Sequence, residues 1–279
     1  MFKKVIVGYD GAAGGRDALA LARQLVAADG EVICANVRLL YPVKFDRFPD
    51  QKWNYPGVST EADAGEDEPG LEPRVVVATS VGRGLHVLAD GEGADLLVVG
   101  SSRHGGFGRV LLGDATGEAI NGAPCAVAVA PATYSEHAHP LERIGVAYNA
   151  STESERALSA ARVIAAEHQA ALSAMEVAYF PTYAYLGGAG IPYTEIVTPL
   201  LEDAQKQVAA LDGVEPRARF GEPSEELATY SGELDLLVVG SRDYGPVGRL
   251  VHGSTSRRLT RSCRCPLLIL TRGAEAEQE

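Results

Sequence analysis

Two stretches of this chain carry residue types whose spacing could do chemistry. Each is an apolar run ending in glycine that continues through serine into a glycine-rich loop and reaches a second glycine at the start of an expected helix: Gly100 to Gly113 and Gly240 to Gly253. Main-chain amides in such a loop, backed by the positive end of a helix dipole, can hold one phosphate group without help from a cationic side chain. The reactive signatures that would turn binding into catalysis do not accompany them. The sequence has no GxxxxGK[ST], no GxGxxG after its first strand, no GxSxG and no HExxH. His137 and His139 form His-x-His in a linker without further ligands, and Cys263 and Cys265 stand at a strand entrance without CxxC spacing. The residues therefore point to a binding protein rather than an enzyme, with no catalytic residue and no metal of its own.

The elements that must position these loops come from a repeat. DLLVVG occurs at Asp95 to Gly100 and again at Asp235 to Gly240, and 12 of the 31 positions from Asp95 to Cys125 match their counterparts 140 residues on. Ordinary composition would give about two. A run that is apolar throughout suits a strand buried on both faces of a parallel sheet. The first half reads as strands at Lys3 to Tyr9, Glu31 to Leu39, Arg74 to Thr79, Asp95 to Val99 and Cys125 to Ala130. Between them lie helices at Arg16 to Ala27, around Gly84 to Ala89 and from Ala115 to Asn121. In the second half a strand from Ile144 and one at Ala171 to Phe180 precede an apolar-faced helix at Thr198 to Leu211, with Pro199 suited to its first turn. This alternation implies two tandem α/β domains, each a doubly wound, Rossmann-like sheet of five parallel strands. The expected limits are 1–132 and 142–273, with a linker at 133–141 and a tail at 274–279. The excursion from Leu40 to Pro73, with five prolines and the single Trp53, has no apolar stripe for a crossover helix.

A formal net charge of -12 is unsuited to neutralising nucleic-acid phosphates. The opening MFKKVIVGYD has no secretory apolar region, and no stretch approaches the length of a spanning helix, so a cytoplasmic protein without a membrane partner is expected. In a doubly wound sheet a ligand lies beyond the carboxyl ends of the two strands that flank the reversal of strand order. That pairs Asp10 with Gly100 in the first half and Asn149 with Gly240 in the second.

With VIVGYDG, DLLVVGS twice, GRVLLGD, GRLVHGS and a Cys-led fifth strand in view, the chain resembles a tandem member of the universal stress protein family. The resemblance implies a stress-response regulatory module that binds adenine nucleotide, ATP with its magnesium, in at least one half. ATP-binding members use an Asp at the end of strand one and a backbone contact on strand two for the base, and a G-x2-G-x9-G-[S/T] loop for the phosphates. Carried onto the first half, this gives Tyr9, Asp10 and Val37, then Gly100, Ser102, Arg103, Gly113 and Asp114. In the second half it gives Asn149 and Val177, then Gly240, Arg242, Asp243, Gly253, Ser254 and Thr255. Arg103 and Asp243 replace the middle glycine, Asp114 replaces the hydroxyl residue, and Asn149 replaces the acid. A carboxylate about 4 Å from a phosphate charge costs ~4 kcal/mol at an effective dielectric near 20, which weighs against a triphosphate in the first half and leaves the better phosphate end in the second. The family also pairs through its fifth strands, so the two halves are expected to pair with each other, and a homodimer is open to it. The damaged loops favour the alternative, an interaction scaffold that binds no nucleotide.

Overall fold

The computed structural model describes residues 1–40, 73–101, 114–180, 193–241 and 254–270. The first half contains β1 (Phe2–Gly8), α1 (Ala13–Leu25), β2 (Val26–Leu39), β3 (Arg74–Ala78), α2 (Val81–Glu92), β4 (Leu96–Gly100), α3 (Asp114–Ile120) and β5 (Ala126–Ala130). A 3-10 turn at Tyr134–Glu136 occupies the linker. The second half contains β6 (Arg143–Ala147), α4 (Thr152–His168), β7 (Ala171–Ala178), α5 (Tyr193–Ala209), β8 (Glu215–Phe220), α6 (Pro223–Tyr230), β9 (Leu236–Gly240), α7 (Ser254–Ser262) and β10 (Leu267–Leu270).

Each half is a five-stranded parallel sheet, and the two join into one sheet of ten strands in the order β3-β2-β1-β4-β5-β10-β9-β6-β7-β8. The join is antiparallel, with Leu267 opposite Val129, Leu268 opposite Ala128 and Ile269 opposite Val127. Strand five of each half thus loses its free edge to the other. Alternation carries the side chains of β5 and β10 into two core layers. Ala126, Ala128, Leu268 and Leu270 enter one; Val127, Val129, Leu267 and Ile269 enter the other. Because both layers run through the join, the halves share their core instead of touching at a rim.

The repeated Asp of DLLVVG has a structural task. Asp95 accepts hydrogen bonds from the main-chain N–H groups of Lys3 and Lys4 at 2.7 and 3.0 Å. Asp235 does the same for Glu142 and Arg143 at 3.0 and 2.8 Å. In both halves the carboxylate ties the entrance of the first strand to that of the fourth. The apolar residues that follow are buried on both faces, as in a central parallel strand.

Two details differ from the sequence expectation. Helix α1 ends at Leu25, and β2 starts at once at Val26, with a register shift between Phe2 and Lys4. Gly30 makes this bulge fit, because a Cβ there would lie 2.6 Å from Val26 Cγ2 and 3.0 Å from two main-chain oxygens of β1. Helix α5 begins at Tyr193, so Pro199 sits inside the helix and not in its first turn, which removes one i to i−4 hydrogen bond. The linker is folded. Buried Asp17 of α1 accepts from the N–H groups of Thr133 and Ser135 at 2.9 and 2.8 Å and from the Ser135 hydroxyl at 2.7 Å.

Candidate functional site

β1 lies between β2 and β4, and β6 between β7 and β9, so strand order reverses beside β1 and β6 as the pattern predicted. In the first half the chain leaves β1 through Tyr9 and Asp10, turns at Gly11 with φ 78°, and enters α1. Asp10 is exposed, and its Oδ1 accepts from the Ala12 N–H at 3.0 Å. A Cβ on Gly100 would collide with the Gly14 carbonyl, while a Cβ on Gly15 would lie 3.1 Å from Asp10 N and Oδ1. Asp10 and Gly100 therefore bracket the Gly14–Gly15 pair, one on each side of the first turn of α1. No side chain caps that turn, and it contains no acidic residue. Its main-chain amides and dipole are left for an outside acceptor. Beside it, Ser101 is buried and its Oγ has no partner among the described residues, while the Gly100 carbonyl accepts from Thr116 Oγ1 at 2.8 Å.

Val37 reaches this rim from β2. A Cβ on Gly84 of α2 would lie 2.6 Å from Val37 Cγ1, so the valine side chain is packed beneath the helix. Any contact from this position outward belongs to the main chain.

The second half repeats the scaffold with different chemistry. A Cβ on Gly240 would collide with the Glu153 carbonyl, and Glu153 occupies the place of Gly14. Asn149 is exposed, but the oxygen of its side chain is engaged. Its Oδ1 accepts from the Ser151 hydroxyl at 2.6 Å and the Ser151 N–H at 3.3 Å, and Ser151 Oγ caps α4 by accepting from Ser154 N–H at 3.3 Å. Glu153 and Glu155 occupy the first turn of α4. The Tyr148 hydroxyl, counterpart of Tyr9, donates to Glu155, and burial followed by this bond pushes its pKa up to about 12. Next to Val177, the Glu176 carboxyl is lifted to about 7 by burial, and its Oε2 has no partner among the described residues. Sequence reasoning passed over Glu155 and Glu176. The available signal was their alignment with Arg16 and Asn36 at the repeat offset, which exchanges a cation and an amide for two acids.

The glycine-rich loops fall differently. Ser102, Arg103, Gly113, Arg242, Asp243 and Gly253 lie outside the described residues. Asp114 and Ser254 are the first residues of α3 and α7, and Thr255 follows as a part-buried residue in α7. The excursion at 41–72 and the tail also lie outside the described residues. Among the described residues no helix is long and apolar enough to cross a membrane.

Comparison with known proteins agrees with this architecture. A universal stress protein of Thermus aquaticus, from the region 3′ of a QAH/OAS sulfhydrylase, is 34% identical over 139 residues, covering 47% of this chain and 98% of that protein. Universal stress protein YxiE of Bacillus subtilis is 32% identical over 142 residues, covering 45% and 95%. Among solved structures, a universal stress protein from Archaeoglobus fulgidus aligns with TM-score 0.60 at 17% identity over 97% of this chain and 98% of that one. A functionally unknown protein from Pseudomonas aeruginosa PAO1 aligns with TM-score 0.59 at 16% identity, covering 96% and 92%. Both structural likenesses span the two halves and speak to the fold. The family model described as Universal stress protein family matches residues 1–131 and, a second time, residues 140–271. This chain therefore belongs to the universal stress protein family, with one family domain in each half.

Proposed function

We propose that the chain is a regulatory module that binds adenine nucleotide in its first half and does not turn it over. The observation that carries this reading is the uncapped, acid-free first turn of α1 held between Asp10 and Gly100. Asp10 would take the exocyclic amine of the base, the main chain at Val37 would complete its recognition, and the α1 amides with Ser101 would meet the sugar or phosphate. The second half is assigned no nucleotide. Its Asn149 is consumed by Ser151, its helix is capped, and Glu153, Glu155 and Glu176 gather where an anion would have to approach. This assignment reverses the preference drawn from loop spelling alone.

Because the sequence carries Asp114 where the family has a hydroxyl residue, AMP belongs beside ATP in the test. Isothermal titration of the full chain should show heat with at least one of the two, lost in Asp10→Ala and kept in Asn149→Ala. No heat from wild-type protein at about 1 mM nucleotide, a concentration that detects even weak binding, would refute the reading. Equal loss in both variants would refute the choice of half.

A further inference from the structure

The linker meets the second half at a cleft. On leaving β5 the chain passes the amino ends of β9 and β10, and together they wall a cleft of about 470 Å³, open to solvent on one side. That volume suits a small organic molecule. The wall is held in place beforehand. Asp17 fixes Thr133 and Ser135, and Gln24 Nε2 donates to the Tyr134 hydroxyl at 2.9 Å and the His139 carbonyl at 3.1 Å.

Asp235, His139 and Arg264 line the cleft, together with the polar Thr133 and His137. The first is Asp235, whose side chain is 3% exposed. Its Oδ2 accepts the two main-chain N–H groups at the start of β6, while Oδ1 accepts Arg143 Nη2 at 2.9 Å and keeps a second lone pair. The second is His139. Its Nδ1 lies 3.0 Å from the Pro140 carbonyl, and in the neutral tautomer whose Nδ1 donates there Nε2 is an acceptor. That nitrogen stands 4.0 Å from Asp235 Oδ1. Two facing acceptors call for a donor with two hydrogens between them. A nitrogen about 2.9 Å from each would subtend roughly a right angle, about 20° less than the tetrahedral spread of two N–H bonds, so both bonds form slightly bent.

The third group is Arg264, exposed and without an ion pair among the described residues. It lies across Gly232, where a Cβ would come within 3.3 Å of its Cδ and 3.5 Å of Nη1. A free guanidinium fork fits a carboxylate. The apolar part of the wall includes Pro131, Ala132, Leu234 and Pro266, and Thr133, Tyr134, His137 and Cys265 complete it. At the repeat offset Arg264 corresponds to Pro124, so the first half has no such cation.

We propose that this cleft binds a free α-amino acid with an apolar side chain. Its ammonium bridges Asp235 Oδ1 and His139 Nε2, its carboxylate pairs with Arg264, and its side chain lies on the proline and leucine wall. Arg143 cancels much of the Asp235 charge, so the ammonium is held by hydrogen-bond geometry together with the anion on the same ligand. An amine without the carboxylate would lose Arg264. A hydroxy acid, with one donor hydrogen, would satisfy only one of the two acceptors.

The test uses the full chain with L-leucine, L-methionine and L-phenylalanine, each titrated to about 10 mM by NMR, a range that covers weak binding. Isoamylamine and 2-hydroxyisocaproate serve as the leucine analogues. At least one amino acid should bind, both analogues should bind about tenfold more weakly, and Arg264→Gln and His139→Gln should each weaken binding about tenfold without lowering Tm. Absence of binding by all three amino acids, equal binding of the hydroxy acid, or indifference to both substitutions would overturn the proposal. Asp235 is left unchanged because it also holds β6. Nucleotide binding is not involved, so this proposal can fail while the previous one stands.

Discussion

Replacing Glu176 with Gln tests whether the acid beside the second crevice is held at a cost to folding. Burial raises its carboxyl from 4.5 to about 7. Its charge acts on Tyr148, whose hydroxyl donates to Glu155, while α5 packs against β7 and contributes buried Ala204 and Val208. In the unfolded chain the carboxyl releases its proton near 4.5, whereas in the folded chain it holds the proton until about 7. The folded state therefore binds more protons between these values, and stability falls as pH rises through that window. At 1.36 kcal/mol per pH unit the interval corresponds to at most roughly 3.4 kcal/mol, and because the residue is only part-buried, solvent screening reduces this to about 1–2 kcal/mol. Gln keeps the shape and removes the titration. Glu176→Gln should be near neutral at pH 4.5 and stabilising at pH 8, with a rise in Tm of roughly 2–4 °C for a chain of this size. Thermal melts of wild type and variant at four pH values between these limits would measure it. Equal Tm differences at both ends of the range would refute the argument, because a packing effect does not depend on pH.

Two further outcomes follow from the buried polar groups and thiols. Asp17→Ala removes an acceptor of three hydrogen bonds and leaves two linker N–H groups unsatisfied, so it should cost about 3 kcal/mol in a denaturation experiment. A loss under about 0.5 kcal/mol, the scale of an ordinary surface change, would show the linker is not held as described. All four cysteines are buried, and burial pushes Cys125 up to about 12. An aromatic disulfide reagent at pH 8 should find no fast-reacting thiol in the folded protein and four in guanidinium. Rapid reaction of any one in the native state would contradict its burial.

What the amino-acid order determined by itself was the repeat, the class of fold and the strand ends at which a ligand would approach. Those are local properties. An apolar run ending in glycine and a 3.6-residue apolar stripe are decided by neighbours along the chain, so β4, β9 and α1 could be placed without coordinates. The fifth-strand join was also anticipated, through the family resemblance rather than through any residue pattern.

What only the tertiary structure decided was the state of each polar group. Asp10 and Asn149 differ in sequence by one atom type, yet one carboxylate is exposed beside an uncapped helix and the other side chain is already bonded to Ser151. The repeated Asp of DLLVVG, to which the strand pattern assigned no task, is a clamp between strand entrances. His139, Asp235 and Arg264 are scattered along the chain and meet only where the linker crosses the second half. Hydrogen bonding and desolvation depend on which distant residues arrive within about 3 Å, and sequence spacing does not report that distance.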